Sequence, residues 1–243
     1  MENHSFFAYN HNFVSFGNQH LIVILLMLFF CVALPKFAKK HLSSHQQLWL
    51  MRGMAVTISF WTLANILILI WLGDFNYKVD LPFDLCNIMG LLLPFVMWKP
   101  SYRVHEVIYF WIFAGTLQAI ITPYLYHNFP NFVFIKYWVV HAGLVVFAVY
   151  VTSVFNLKPT LKSIWRSFWA IQLYVVFVFI INIMLDSNYV YILGKPPVPS
   201  ALDLLGPWPW YILVVQFVGL LLFYLSLFPL LIEKRWKKRK LKG

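Results

Sequence analysis

Seven apolar runs, separated by charged, Pro and Asn residues, follow one another along the chain. Most are close to the roughly 20 residues that an α-helix needs to cross the hydrocarbon core of a bilayer. We therefore predict an all-α polytopic membrane protein with seven transmembrane helices, near residues 20–37, 50–73, 82–98, 104–122, 132–153, 164–185 and 208–232. The corresponding organisation is an extracytoplasmic N-terminal segment (1–19), a seven-helix domain (20–232) and a basic cytoplasmic tail (233–243).

Charge placement orients these helices. Only 11% of the 243 residues are charged, and the net charge of +11 is concentrated at helix ends and in the C-terminal tail. One side of the predicted membrane carries 16 basic residues, and the other carries only Lys78, Lys136 and Lys195. By the positive-inside rule, the N-terminus lies outside and the C-terminus lies in the cytoplasm. This distribution favours anionic lipid headgroups as partners of the tail and argues against a nucleic-acid partner.

Polar residues inside the predicted helices are skewed toward the outer side. At 1.5 Å of rise per residue, Asp84, Cys86 and Asn87 lie within roughly 8 Å of the outer end of the third helix. Gln118 and Asn182 lie about one turn from the outer ends of their helices, and only Gln172 falls in the cytoplasmic half. Asn65, His141 and Gln216 are deeper. Intramembrane polar groups are costly, so this skew predicts a polar cavity that opens outward. For any single Asn or Gln, interhelical hydrogen bonding is the alternative interpretation.

Cys86 is the candidate nucleophile. Asp80 as N-cap and Pro82 in the first turn predict a helix start that places the thiol where the helix dipole favours thiolate. His141 is the one histidine deep in a predicted span and is the candidate base, although it lies about 8 Å deeper than Cys86. A hydrogen-bonded core histidine is the alternative. Cys31 is too deep, at about 16 Å, for a disulfide with Cys86.

A proline-rich stretch precedes the last predicted helix and excludes regular helix over residues 188–203. We expect a structured outer loop that covers the cavity and contributes Asn188, Tyr189 and Lys195. Lys195 is a candidate anion ligand, with a solvated topology charge as the alternative. A zinc site would need about three converging ligands, which the spacing does not indicate, and no cofactor or metal is predicted.

Several of these motifs together resemble the YwaF-type integral membrane protein family, the bacterial relatives of transmembrane protein 164. They are Leu81-Pro-Phe-Asp-Leu-Cys-Asn87, Phe129-Pro130 followed by His141, Asn188-Tyr189 with Lys195-Pro196, and Asp203-Leu-Leu-Gly-Pro-Trp-Pro-Trp-Tyr211. The resemblance implies acyl transfer into ether phospholipids, with Cys86 as nucleophile and His141 as base, and a bacterial cytoplasmic membrane location. Members often carry His where this chain has Asp84.

The leading hypothesis is therefore a Cys-dependent phospholipid acyltransferase or acyl hydrolase working near the outer leaflet. Its predicted substrate-binding residues are Asn65, Asp84, Asn87, Gln118, Asn182, Asn188, Tyr189 and Lys195. Two alternatives remain open at this point: a non-enzymatic carrier or small-molecule-binding protein that uses the same cavity, and a structural or assembly protein. Oligomeric state is left open as well.

Overall fold

The computed structural model describes residue 7, residues 12–197 and residues 200–240, the last four as backbone only. The chain is 75% helix and has no strand among the described residues. The helices are α1 (Asn18–His41), α2 (Ser44–Leu72), α3 (Leu85–Val96), α4 (Tyr102–Trp111), α5 (Leu117–Ile121), α6 (Phe132–Val154), α7 (Leu161–Leu185) and α8 (Trp210–Lys240). A π-helical segment, Ile112–Thr116, joins α4 to α5 into one continuous rod. α8 continues through the predicted tail as far as Lys240, and residues 241–243 of that tail lie outside the described residues.

Among the described residues, six of the seven predicted spans form helices that are long and apolar enough to cross a membrane. The exception is α3, which has 12 residues and is therefore about 18 Å long, against a hydrocarbon core of about 30 Å. The shortening is mostly at its start. The helix begins at Leu85 with Asp84 as N-cap, so the prediction of an Asp80 N-cap was wrong. The Asp80 carboxylate instead accepts a hydrogen bond of 2.7 Å from the backbone N–H of Asn76, which closes a turn in the preceding segment.

α6 forms the centre of the bundle. More than half of its most apolar stretch is buried, against 11–17% for α1, α2, α7 and α8, whose outer faces are left for lipid. It contacts α1, α2, α3, α5 and the π-helical segment, while α7 and α8 pack on the far side of α4 and the π-helical segment. Every helix that carries a predicted site residue is therefore positioned directly or through one neighbour by α6.

α3 packs closely against α2 because Gly90 has no side chain. A Cβ atom at Gly90 would lie 2.9 Å from the Thr62 hydroxyl oxygen and 3.2 Å from Cγ2 of Ile58. Gly143 of α6 makes room for the same isoleucine, since a Cβ there would lie 3.0 Å from Cγ1 of Ile58. These close approaches fix the height of α3 relative to α2 and α6, and with it the height of Cys86.

A buried polar network joins the helix ends opposite the predicted site. Glu106 of α4 is 1% exposed and accepts hydrogen bonds from the Ser163 hydroxyl at 2.5 Å and the Arg166 guanidinium at 3.0 Å. His105 is fully buried beside Thr152, with 2.8 Å between Nε2 and Oγ1. The expectation that Gln172 is the one polar residue of this half was wrong. Because α4 begins at Tyr102 and is covered by α6 and α7, His105 and Glu106 lie inside the bundle.

Candidate functional site

The Cys86 thiol lies in the second position of α3, at the junction between this helix and the π-helical segment. Its Sγ and the Thr116 hydroxyl share a hydrogen bond of 3.2 Å, and Thr116 is fully buried. The first-turn N–H groups of a helix have no intrahelical partners and carry partial positive charge, so a thiolate here is favoured by the dipole. π-helical turns inside α-helices are frequent at functional sites. The predicted position of Cys86 near a helix N-terminus is confirmed.

Lys136 supplies a cation beside this site, whereas the charge pattern alone predicts only a topology charge near a helix start. Its half-buried side chain reaches from the second turn of α6 to α3, where Nζ donates to Oδ1 of Asn87 at 3.2 Å. The ammonium also interacts with Asp84 and Cys86. The signal that could have identified it is its position four residues inside an apolar helix, where a lysine is costly unless it has partners.

Asp84 caps the site from the start of α3. The backbone N–H of Val190, in the loop after α7, and the Lys136 ammonium act electrostatically on its carboxyl group. Asn87, the residue after Cys86, accepts the hydrogen bond that draws the Lys136 ammonium to the first turn of α3.

His141 lies one turn below Lys136 and Tyr137 on α6. Its Nδ1 is 2.8 Å from the Tyr137 carbonyl oxygen, and its ring stacks on the Tyr137 ring with 4.1 Å between centroids. A carbonyl can only accept, so Nδ1 carries a proton and Nε2 of the neutral ring keeps its lone pair. Nε2 has no hydrogen-bond partner among the described residues. The ring thus has the tautomer of a base.

The register between α3 and α6 sets the height difference between His141 and the thiol. Asn87 pairs with Lys136, and Gly90 faces Val140, so the His141 backbone lies about five residues, or ~7 Å, below Cys86 along the axis. Helical side chains tilt toward the helix N-terminus, and α6 begins at the end of the bundle that holds the site. The imidazole therefore leans toward that end of the bundle, where it stacks on Tyr137. The hydrogen-bond partner of the thiol is nevertheless Thr116 and not His141.

The loop between α7 and α8 packs against the segment that precedes α3, and three predicted site residues organise it. Asn182 is fully buried and uses both ends of its amide: Oδ1 accepts from Ser187 and from the Tyr189 N–H, and Nδ2 donates to the Tyr189 carbonyl. The Tyr189 hydroxyl donates to the Tyr77 carbonyl at 2.6 Å and accepts from the Leu81 N–H at 3.0 Å. Asn188 holds the next turn through Leu193 and Gly194. Tyr189 thus ties the loop to the segment that precedes α3, while Asn182 and Asn188 hold the loop's own turns.

The family model described as the TMEM164 family matches residues 15–227 of this chain. The chain belongs to the TMEM164 family. The match begins at residue 15, just before α1, and ends at Leu227 in α8. It includes the site residues of this TMEM164 family member, namely Cys86, Thr116, Lys136 and His141. No curated protein and no solved structure matches the chain.

The remaining three predicted substrate-binding residues of this TMEM164 family member lie away from the thiol. Asn65 lines a separate cavity of about 90 Å³ with His127 and Asn131. Gln118 is exposed and donates to the Thr122 hydroxyl one turn along its own helix. Lys195 lies 3.5 Å from the Asp203 carboxylate within the loop, so its charge has a partner there. The structure thus brings Asp84 and Asn87 to Cys86 and leaves Asn65, Gln118 and Lys195 elsewhere.

The site has no donor set for a metal ion. Across the described residues of this TMEM164 family member, no group of three or more His, Cys, Asp and Glu side chains is close enough to hold one. Both cysteines are free thiols. The reactive groups gathered at this end of the bundle are therefore a thiol, an ammonium, a hydroxyl and an imidazole.

Proposed function

We propose that this member of the TMEM164 family transfers acyl groups between membrane lipids through a thioester on Cys86. The observation that carries the proposal is the surroundings of the thiol: Cys86 lies in the first turn of α3, its Sγ is bound to the Thr116 hydroxyl, and the Lys136 ammonium is bound to the next residue, Asn87. A membrane helix bundle needs no such combination for stability, because each of these groups is costly to remove from water. The resemblance noted in the sequence implies the same chemistry.

Each group has a role in acyl transfer. The Cys86 thiolate attacks the carbonyl carbon of a phospholipid ester, so a C–S bond forms as the C–O bond to the lysolipid breaks. The first-turn N–H groups of α3 stabilise negative charge on the carbonyl oxygen, and Lys136 adds a positive charge nearby. His141 is the proposed base: because the thiol is bound to Thr116 and not to the imidazole, its proton passes to Nε2 of His141 through a bridging water and then returns to the departing alkoxide. The hydroxyl oxygen of an acceptor lipid, or of water, then attacks the thioester carbonyl, so a C–O bond forms as the C–S bond breaks and the hydroxyl proton passes by way of His141 to the Cys86 sulfur.

The distribution of polar groups favours an enzyme over the carrier alternative. Between the site and the Glu106 network lies an apolar layer formed by Phe110, Ile112, Leu144 and Phe147, all fully buried. The network itself is satisfied by bonds among α4, α6 and α7, so it closes that end of the bundle. A carrier would need a polar route that connects both ends in turn.

Acyl labelling tests the proposal. Purified protein incubated with a phospholipid that carries a labelled acyl chain should acquire a label that hydroxylamine releases, as expected for a thioester. Cys86→Ala and Cys86→Ser should lose the label completely, and Cys31→Ser, the matched control, should retain it. His141→Ala should slow labelling by about 100-fold or more, the usual contribution of a general base.

Two results would overturn the acyl-transfer proposal. Lipid turnover that persists unchanged in Cys86→Ala would remove the thioester from the mechanism. Substrate uptake into proteoliposomes without any covalent lipid product would identify the protein as a carrier.

A further inference from the structure

A second cavity lies at the opposite end of the bundle from Cys86, between the loop that joins α6 to α7 and the last turns of α8. It is an open cleft of about 720 Å³. Lys158, Lys162 and Lys234 line it together with one carboxylate, Glu233. Lys158 is bound to Glu233 at 2.5 Å, whereas Lys162 and Lys234 are exposed and form no ion pair with a described residue. The cleft therefore has two cations available for an anionic ligand.

The same cleft has an apolar wall. Leu161, Leu230 and Leu231 line it beside the lysines, and Leu161 is 53% exposed. A soluble anion gains nothing from leucine side chains, whereas an anionic group joined to hydrocarbon chains matches both halves of the lining. The lining thus combines two cations for a phosphate with apolar surface for an acyl chain.

The cleft lies at the level of a membrane boundary. It is formed where α6 ends, α7 begins and α8 leaves the apolar part of the bundle. Trp165 of α7 and Trp236 of α8 are 50% and 65% exposed at this end, and exposed tryptophans collect at the headgroup level of membranes. This is also the end with most of the basic residues, which the positive-inside rule assigns to the cytoplasm. Anionic lipids attract basic groups at that surface.

We propose that this cleft binds one anionic glycerophospholipid of the adjacent leaflet, with its phosphate between Lys162 and Lys234 and an acyl chain along Leu161 and Leu231. The site is distinct from the Cys86 site, because the Phe110 and Phe147 layer lies between the two ends of the bundle. It does not depend on the acyl-transfer proposal. The lipid held here is a bound partner, and no bond to it is made or broken.

Native mass spectrometry of the full-length protein in a non-ionic detergent can measure this binding. The protein is titrated with phosphatidylglycerol or with phosphatidylcholine of the same acyl chains. Phosphatidylglycerol should bind about tenfold more tightly than phosphatidylcholine. The double variant Lys162→Gln/Lys234→Gln should bind phosphatidylglycerol on the order of tenfold more weakly, and its affinity for phosphatidylcholine should not change. Leu161→Ser, at an exposed position, should lower the affinity for both lipids. Thermal unfolding of each variant in the same detergent verifies that it is folded.

A matched control separates the cleft from general surface charge. Lys39→Gln/Lys40→Gln removes two exposed cations from the same end of the bundle but outside the cleft. It should change phosphatidylglycerol affinity by less than about twofold. Equal losses in both double variants would overturn the proposal in favour of diffuse charge attraction. Displacement of phosphatidylglycerol by millimolar glycerol phosphate would overturn it in favour of a site for soluble phosphates.

Discussion

At the scale of single residues, the Cys86 thiol has neighbours of opposite electrostatic effect. Asp84 places a carboxylate two residues before it, and Lys136 brings an ammonium from another helix. A carboxylate disfavours a nearby thiolate, and an ammonium favours it. Burial itself disfavours any charge, so thiolate chemistry at this position depends on Lys136 and on the N-terminus of α3.

Replacing Lys136 tests this dependence. In a Cys31→Ser background, Cys86 is the single thiol, and its alkylation by a maleimide at neutral pH reports the thiolate fraction. Lys136→Met should slow the reaction by about 3- to 10-fold because the ammonium no longer stabilises the thiolate. Lys136→Arg, which keeps the charge, should stay within about threefold of the parent. Mass spectrometry of the intact protein gives the rates.

Lys195 provides the control for that experiment. It is a cation at the same end of the bundle, but it is paired with Asp203 in the loop. Lys195→Met should leave the alkylation rate unchanged. An unchanged rate in Lys136→Met as well would mean that the ammonium does not act on the thiol.

At the scale of elements, the height of α3 is set by a glycine contact and not by the length of its apolar run. Gly90→Ala would push a methyl group against Thr62 and Ile58. Thr62 cannot swing away freely, because its hydroxyl donates to the Ile58 carbonyl at 3.0 Å. We expect a loss of about 1–3 kcal/mol in the free energy of unfolding, measured by denaturation in mixed micelles.

Gly53→Ala in α2 has open space around its Cβ and should be neutral or stabilising, since alanine favours helix. Equal stability of the two variants would show that α3 can shift to accept the methyl group.

The loop between α7 and α8 depends on one amide. Asn182→Ala removes three hydrogen bonds and leaves the Tyr189 N–H and C=O without partners. The expected cost is about 2–4 kcal/mol, confined largely to the loop, because buried unsatisfied groups are expensive. Hydrogen exchange of the amides in residues 187–193 should accelerate. Gln118→Ala, whose partner is on its own exposed helix face, should leave that exchange unchanged. Persistent protection in Asn182→Ala would place the support of the loop elsewhere.

At the scale of the whole molecule, the helices place the Cys86 site and the lysine cleft at opposite ends. The site lies where α3 and α6 begin, and the cleft lies where α6 ends and α7 begins. The buried apolar side chains of Phe110, Ile112, Leu144 and Phe147 lie between them. If the orientation predicted from charge is correct, the site faces the outer leaflet and the cleft faces the inner one.

Membrane-impermeant maleimide can test this orientation. In a Cys31→Ser/Cys86→Ser background, a new cysteine in the loop between α7 and α8, Ser200→Cys, should be labelled in intact cells. Lys39→Cys, at the end of α1, should be labelled only after the membrane is opened. The physical reason is that the basic helix ends are retained in the cytoplasm. The reverse pattern would place the Cys86 site in the inner half of the membrane.

The sequence by itself determined the features that depend on neighbouring residues. Six long helices follow from the lengths of their apolar runs, and the bounds differ from the prediction by a few residues at most ends. The grouping of Asp84, Cys86 and Asn87 is equally local, because they share one turn of chain.

Only the tertiary structure decided which distant groups meet these three residues. Thr116 is 30 residues from Cys86, and Lys136 is 49 residues from Asn87. Their approach depends on the π-helical segment and on the packing of Gly90 against α2, and neither has a signature in hydropathy. The start of α3 also escaped prediction, since the Asp80 side chain can cap a turn as readily as a helix. Apolar length is a property of a segment, whereas a polar site is a property of the packing between segments.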